Sequence, residues 1–296
     1  MSRPEVIDAQ LHLWGADTPQ RPWPRVGGVP GAAHLARSPT AGELLAAMDA
    51  AGVDGAILVP PSWEGERNDL ALAAAAAAPQ RFAVMGRLSL ADPAVSEELT
   101  GWRSTPGLLG VRLTLHRSPW SEWFAQGRLD WFWTAAEQAQ LPVAVYAPAQ
   151  YAALGAVAAA HPGLRLLVDH LGLPLAARDE AAFALLAELA GLARHPNIAV
   201  KATAVPGHSD GDPPFTAWHR PLLRLVEQFG AHRVFWGSDL TRLPCTYREC
   251  VDLFARDLAF LDECERTWIL GRGIRTWLDW PGSTSTQMRI QVQTQG

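Results

Sequence analysis

Residues 141–164 read LPVAVYAPAQYAALGAVAAAHPGL, the longest run of the chain without a charged side chain. Such a length would admit a membrane span, which needs about 20 apolar residues. Pro142, Pro148, Gly155, Pro162 and Gly163 instead break it into pieces. Val143–Ala147 reads as a strand, Gln150–Ala160 as a helix, and a second strand starts at Leu164. The strand pieces are continuously apolar rather than alternating, which suits parallel strands buried on both faces.

The same unit recurs in both directions. Strands are expected at Val6–Trp14, Gly55–Val59, Phe82–Leu88 and Leu109–Thr114 before it, and at Leu164–Asp169, Ile198–Lys201 and Arg233–Gly237 after it. Helices are expected near Ala41–Ala51, Asp69–Ala78, Ala94–Trp102, Trp131–Gln140, Glu180–Arg194, Ala217–Phe229 and Thr246–Leu261. Eight strand–helix repeats in 296 residues predict an α/β fold of the (β/α)8 TIM-barrel type. A doubly wound sheet would carry a glycine-rich phosphate turn after its first strand, and Gln10-Leu11-His12-Leu13-Trp14-Gly15 is not one. No shift in composition marks a second domain, so residues 1–281 are expected to form a single barrel. Gly15–Pro39 reads as a loop over its mouth, and the polar, aperiodic residues 282–296 as a disordered tail.

With 25 basic and 30 acidic residues the chain carries a net charge of −5, which argues against a nucleic-acid partner. Cys245, Cys250 and Cys264 cannot all pair and lack CxxC spacing, so reduced thiols in a cytoplasmic protein are expected. Met1–Gln10 has no apolar core of a signal peptide, and no membrane partner is expected. Oligomeric state is left open.

In a barrel of this kind catalytic groups gather at the C-terminal ends of the strands. Gln10, His12, Arg87, Arg112, Tyr146, Asp169, His170, Lys201 and Asp239 stand there, and Arg67 follows the second strand. Guanidinium groups bind carboxylates through two parallel hydrogen bonds. Arg67, Arg87 and Arg112, with Lys201, therefore suggest a small anionic substrate, against which Trp14 could stack.

Three segments sharpen this reading. Ile7-Asp8-Ala9-Gln10-Leu11-His12-Leu13-Trp14, Val168-Asp169-His170-Leu171-Gly172 and Phe235-Trp236-Gly237-Ser238-Asp239 occur in this order. Together they resemble the amidohydrolase superfamily, in the branch called amidohydrolase family 2, over roughly Glu5 to Pro281. That branch includes pyrone dicarboxylate lactonases, sugar-acid lactonases and metal-dependent decarboxylases. Its metal-binding members have a His-x-His pair on the first strand, where this chain has Gln10 and His12. They also have a histidine ending the fifth strand, where this chain has Tyr146. His12, His170 and Asp239 would remain for one divalent metal such as zinc, a weak alternative to the expectation of no cofactor.

Without metal the resemblance implies a hydrolase that opens a carboxylate-bearing lactone or similar cyclic ester. Asp239 would activate water, and His170 and His12, with Tyr146, would polarise the carbonyl. Arg67, Arg87, Arg112, Lys201, Gln10 and Trp14 would hold the substrate. The alternatives are a metal-dependent decarboxylase or hydrolase of the same family, and a barrel that binds a small molecule without catalysis. His34, His161, His195, His208, His219 and His232 receive no role.

Overall fold

The computed structural model describes residues 3–26 and 29–281. The expected strands are all present: β1 (Ile7–Leu11), β2 (Gly55–Leu58), β3 (Phe82–Gly86), β4 (Leu108–Thr114), β5 (Val143–Tyr146), β6 (Leu166–Val168), β7 (Ile198–Thr203) and β8 (Val234–Gly237). Each pairs in parallel with the next in sequence. The ring is brought together where the Asp239 N–H donates to the Gln10 carbonyl at 3.1 Å. Gly237 makes this seam possible, because a Cβ there would lie 2.5 Å from Thr203 Cγ2 and 2.9 Å from the Ala9 nitrogen. The architecture is the (β/α)8 barrel.

The period of two along each strand sorts the interior into layers. Ile57, Ala83, Met85, Leu109, Ala144, Leu167, Ala199 and Phe235 fill the lower lumen. Their neighbours in sequence, such as Leu58, Val84, Val145, Val168 and Val200, face outward into a larger apolar layer under the helices. Burying both faces is why the strands read as unbroken apolar runs.

Around the strands lie α1 (Ala41–Ala51), α2 (Asp69–Ala77), α3 (Ser96–Thr100), α4 (Trp120–Ala125), α5 (Asp130–Gln138), α6 (Tyr151–Ala160), α7 (Asp179–Leu189), α8 (His219–Phe229) and α9 (Tyr247–Asp252). α1 has sharp ends for local reasons. Thr40 and Glu43 form a capping box, and Gly52 stops the helix at φ 78°.

The helices differ in places from the sequence expectation. The helix expected over Ala94–Trp102 is only α3, flanked by 3₁₀ turns at Pro93–Val95 and Trp102–Ser104. The one expected to reach Leu261 leaves α-geometry after Asp252 in a π-turn, Leu253–Asp257. α4, together with α10 (Glu263–Thr267) and α11 (Gly273–Trp277), was not anticipated. Short helices lack a readable apolar stripe, and α11 owes its position to tertiary packing. Ile274, Leu278 and Trp280 close the lower lumen against Ile7 and Phe235. Residues 282–296, expected as a tail, lie outside the described residues. No helix among the described residues is long and apolar enough to cross a membrane.

Candidate active site

Above the apolar lumen the same alternation lines the barrel with polar groups. Asp169, which follows β6, is fully buried between Lys201 Nζ at 2.9 Å and Arg112 Nε at 3.0 Å. Burial acts to raise its carboxyl, and the two cations outweigh that and hold it well below the ordinary carboxylate range. Lys201 also donates to Gln10 Oε1. An ammonium can only donate, so this contact turns the amide nitrogen of Gln10 toward His12, with Gln10 Nε2 3.2 Å from His12 Nε2. On the other side of the ring, His12 Nδ1 is 2.6 Å from the Val59 carbonyl and must carry a proton. Both contacts select the same arrangement of His12, with Nδ1–H donating to Val59 and Nε2 accepting from Gln10.

The position of Asp239 is set by the seam between β8 and β1. The buried Asp8 carboxylate accepts from Ser238 N at 2.9 Å, Gln10 N at 2.9 Å, Tyr247 Oη at 2.7 Å and also Ser238 Oγ. Burial pushes the Asp8 carboxyl up against those four bonds. The next residue, Asp239, takes a left-handed φ of 52°, a conformation costly for a side chain other than glycine and concentrated at functional sites. Its Oδ1 lies 3.1 Å from His12 Nε2, and its Oδ2 lies 3.8 Å from Arg242 Nε.

Oδ1 is buried without a hydrogen-bond donor among the described residues. Burial acts to raise the Asp239 carboxyl, and the imidazoles of His12, His170 and His34 around it more than offset that and keep it low.

His170 and Leu171 also have positive φ, 51° and 55°, in the turn that ends β6. Burial pushes the His170 imidazole down to about 3, so the ring is neutral at pH 7. Its Nδ1 is 2.7 Å from Thr203 Oγ1. With the hydroxyl donating to Nδ1, Nε2–H is the ring's remaining donor.

These groups open on a cavity of about 350 Å³. Among the described residues that line it, Asp239 is the one carboxylate, against Arg112, Arg117 and Arg242. His34 and His116 also line it, and burial pushes both down to about 4. The cavity is therefore net positive at neutral pH.

The buried imidazoles carry a stability prediction. Each has a folded pKa below its ordinary 6.5, so the unfolded chain takes up their protons first as pH falls. Their contribution is complete above pH 6.5 and is lost progressively as pH drops toward about 4 for His34 and His116 and about 3 for His170. For His170 alone the loss by pH 5 is about 2 kcal/mol. Urea midpoints compared at about pH 7.5 and about pH 5 will measure it, and equal midpoints would contradict the neutral burial of these rings.

The structure brings His12, His170, Tyr146, Asp239 and Arg112 together around the cavity. It departs from the sequence expectation at the other positions. Lys201 is 1% exposed and spends its charge on Asp169 and Gln10 rather than on a substrate. Gln10 is 0% exposed and acts on His12. Arg87 donates to the Gly65 carbonyl at 2.9 Å and to Thr114 Oγ1 at 2.8 Å, and burial lowers its guanidinium to about 9. Trp14 is buried edge-to-face on Trp63, with ring centroids 5.4 Å apart, and Arg67 is not among the lining residues. Tyr146 donates its hydroxyl proton to the Leu173 carbonyl at 3.1 Å, so it steadies the turn after His170 instead of serving an oxyanion.

His34, His116 and Arg242 are the lining residues that sequence reasoning passed over. His116 lies just past the end of β4 and Arg242 three residues after Asp239, positions that could have flagged them. His34 belongs to the loop over the mouth and is fixed by a contact of 2.8 Å between its Nδ1 and Thr241 Oγ1.

A metal would find ligand atoms of His12, His34 and Asp239 within 4.8 Å of one another, a set that includes His34 rather than the expected His170. The spacing admits a cation. Gln10 Nε2 lies 3.2 Å from His12 Nε2. Arg242 lies 3.8 Å from Asp239 Oδ2 and 3.5 Å from His34 Nε2, so positive charge stands on that side of the set.

Comparison with known proteins agrees with the fold. An L-fucono-1,5-lactonase of Burkholderia ambifaria is 30% identical over 161 residues, 53% of this chain and 54% of that protein. The chain thus spans about half the length of the curated relative it matches. A Burkholderia multivorans amidohydrolase solved with bound zinc superposes with a TM-score of 0.76 at 23% identity, covering 94% of this chain and 100% of that one. A probable 2-pyrone-4,6-dicarboxylic acid hydrolase of Acinetobacter baumannii, solved with citric acid, gives 0.70 at 18% identity, with 93% and 99% covered. The model of the amidohydrolase family matches residues 7–279, and the chain belongs to that family.

Proposed function

We propose that this protein is a hydrolase that opens a lactone or similar cyclic ester bearing a carboxylate, and that it does so without a metal. The observation that carries the reading is the lone carboxylate of an arginine-lined cavity, its Oδ1 buried without a hydrogen-bond partner among the described residues and 3.1 Å from His12 Nε2. Family membership and the lactonase relative point to the same class of reaction.

The steps follow from the proton positions. A water on the Asp239 side of the carbonyl attacks its carbon, and Asp239 takes the water's proton. His170 Nε2–H donates to the oxygen on which negative charge develops. Collapse of the tetrahedral adduct breaks the ring C–O bond, and the leaving alkoxide takes the proton back from Asp239. The product is a hydroxy acid, which ionises at neutral pH. Acid–base help contributes roughly 10²–10⁴-fold, and one oxyanion donor about 10²–10³-fold. Those factors suit a strained lactone better than an amide. An uncharged sugar lactone would leave Arg117 on the cavity wall without a substrate anion to bind, so a carboxylate on the substrate is the better match.

A panel of carboxylated lactones, followed by acid release with a pH indicator, tests the activity. Within it Arg117→Ala should raise KM about tenfold or more for a carboxylated lactone, the worth of one charge-assisted hydrogen bond, with kcat nearly unchanged. The corresponding lactone without the carboxylate should not respond. An equal response from both substrates would remove the anion from the proposal.

A further inference from the structure

We propose that Gln10, held in place by Lys201, is the residue that closes this centre to metal ions. The inference rests on the metal-free reading above and names the part of the chain that enforces it. A cation can reach His12 only through Nε2, because Nδ1 is committed to the Val59 carbonyl at 2.6 Å. The Gln10 N–H already fills that lone pair at 3.2 Å.

The amide cannot simply turn away. Rotating it by half a turn would set Oε1 against the His12 lone pair and the NH₂ against the Lys201 ammonium, replacing two attractions with two repulsions. Nor can it swing into solvent, since Gln10 is fully buried. Lys201 is itself anchored, 2.9 Å from Asp169, whose other oxygen holds Arg112 at 3.0 Å. Arg112–Asp169–Lys201–Gln10 is thus one chain of contacts, running from the cavity wall to the nitrogen a metal would need. A dication arriving at His12 would strip Gln10 of its acceptor and come to rest beside the Arg242 guanidinium.

The test needs no substrate. Wild type, Gln10→His and Gln10→Met, each stripped with chelator and then freed of it, are titrated with Co²⁺ by calorimetry and visible absorption. Wild type should show no saturable uptake. Gln10→His, which adds a ligand beside His12, should take one equivalent and develop the visible bands of coordinated Co²⁺. Gln10→Met, which removes the N–H while keeping the bulk, should show saturable uptake where wild type shows none.

One equivalent bound by wild type as tightly as by Gln10→Met would overturn the proposal. So would two folded variants that bind no better than wild type. Gln10→Met decides the matter if Gln10→His does not fold, and wild-type uptake counts by itself. A protein that hydrolyses no lactone could still give the expected metal pattern, so the two readings fail separately.

Discussion

Asp239→Asn is expected to lower kcat by about 10²–10⁴-fold, the range for loss of a general base. The substitution keeps the shape of the side chain and removes its ability to take a proton. The folded site holds the Asp239 carboxyl below its ordinary value, so the anion also adds stability at neutral pH, and the variant should melt somewhat lower while remaining folded. Turnover and thermal melting of the same preparation measure both. Residual activity near wild type would remove Asp239 from the mechanism.

A larger effect on stability is expected two strands away. Asp169→Asn should destabilise the fold by about 3–5 kcal/mol, the usual result of removing one partner from a buried ion pair. The carboxylate neutralises two cations at once, Lys201 at 2.9 Å and Arg112 at 3.0 Å, and a neutral amide leaves both buried and unmatched. Lys201 has no route to water, being 1% exposed. Urea unfolding of wild type and variant reads the difference directly. A loss below about 1 kcal/mol, the scale of an exposed pair, would contradict this account of the network. The two aspartates are alike in burial and in their place at strand ends, yet one lies between two buried cations and the other beside an imidazole on the cavity wall.

That distinction explains what could be read from sequence. The barrel was legible because its strands are unbroken apolar runs punctuated by glycine and proline, as in residues 141–164. The polar ring was legible too, since position at a strand end is a property of local sequence. What each member of the ring touches is not. Lys201 reads as a cation awaiting a substrate until the fold brings it to Gln10, 191 residues earlier in the chain. Arg87 reads the same way until its guanidinium is found on the Gly65 carbonyl and Thr114.

His34 lay beyond such reasoning for a related reason. It sits in an irregular loop, and the contact that brings it to the cavity is with Thr241, 207 residues away. α11 shows the same limit in the fold itself, because its role is to close a lumen formed by other segments. Local pattern gives the elements and the positions of their ends, and long-range pairing decides which charges are spent on structure.

The most direct measurement is hydrolysis of a carboxylated lactone by wild-type protein before and after exhaustive dialysis against chelator, with metal content determined on the same samples. The account predicts steady acid release at an unchanged rate in both, with far less than one metal per chain, and a rate lower by about 10²–10⁴-fold in Asp239→Asn. Activity that disappears with the chelator and returns with one equivalent of zinc or manganese would contradict it.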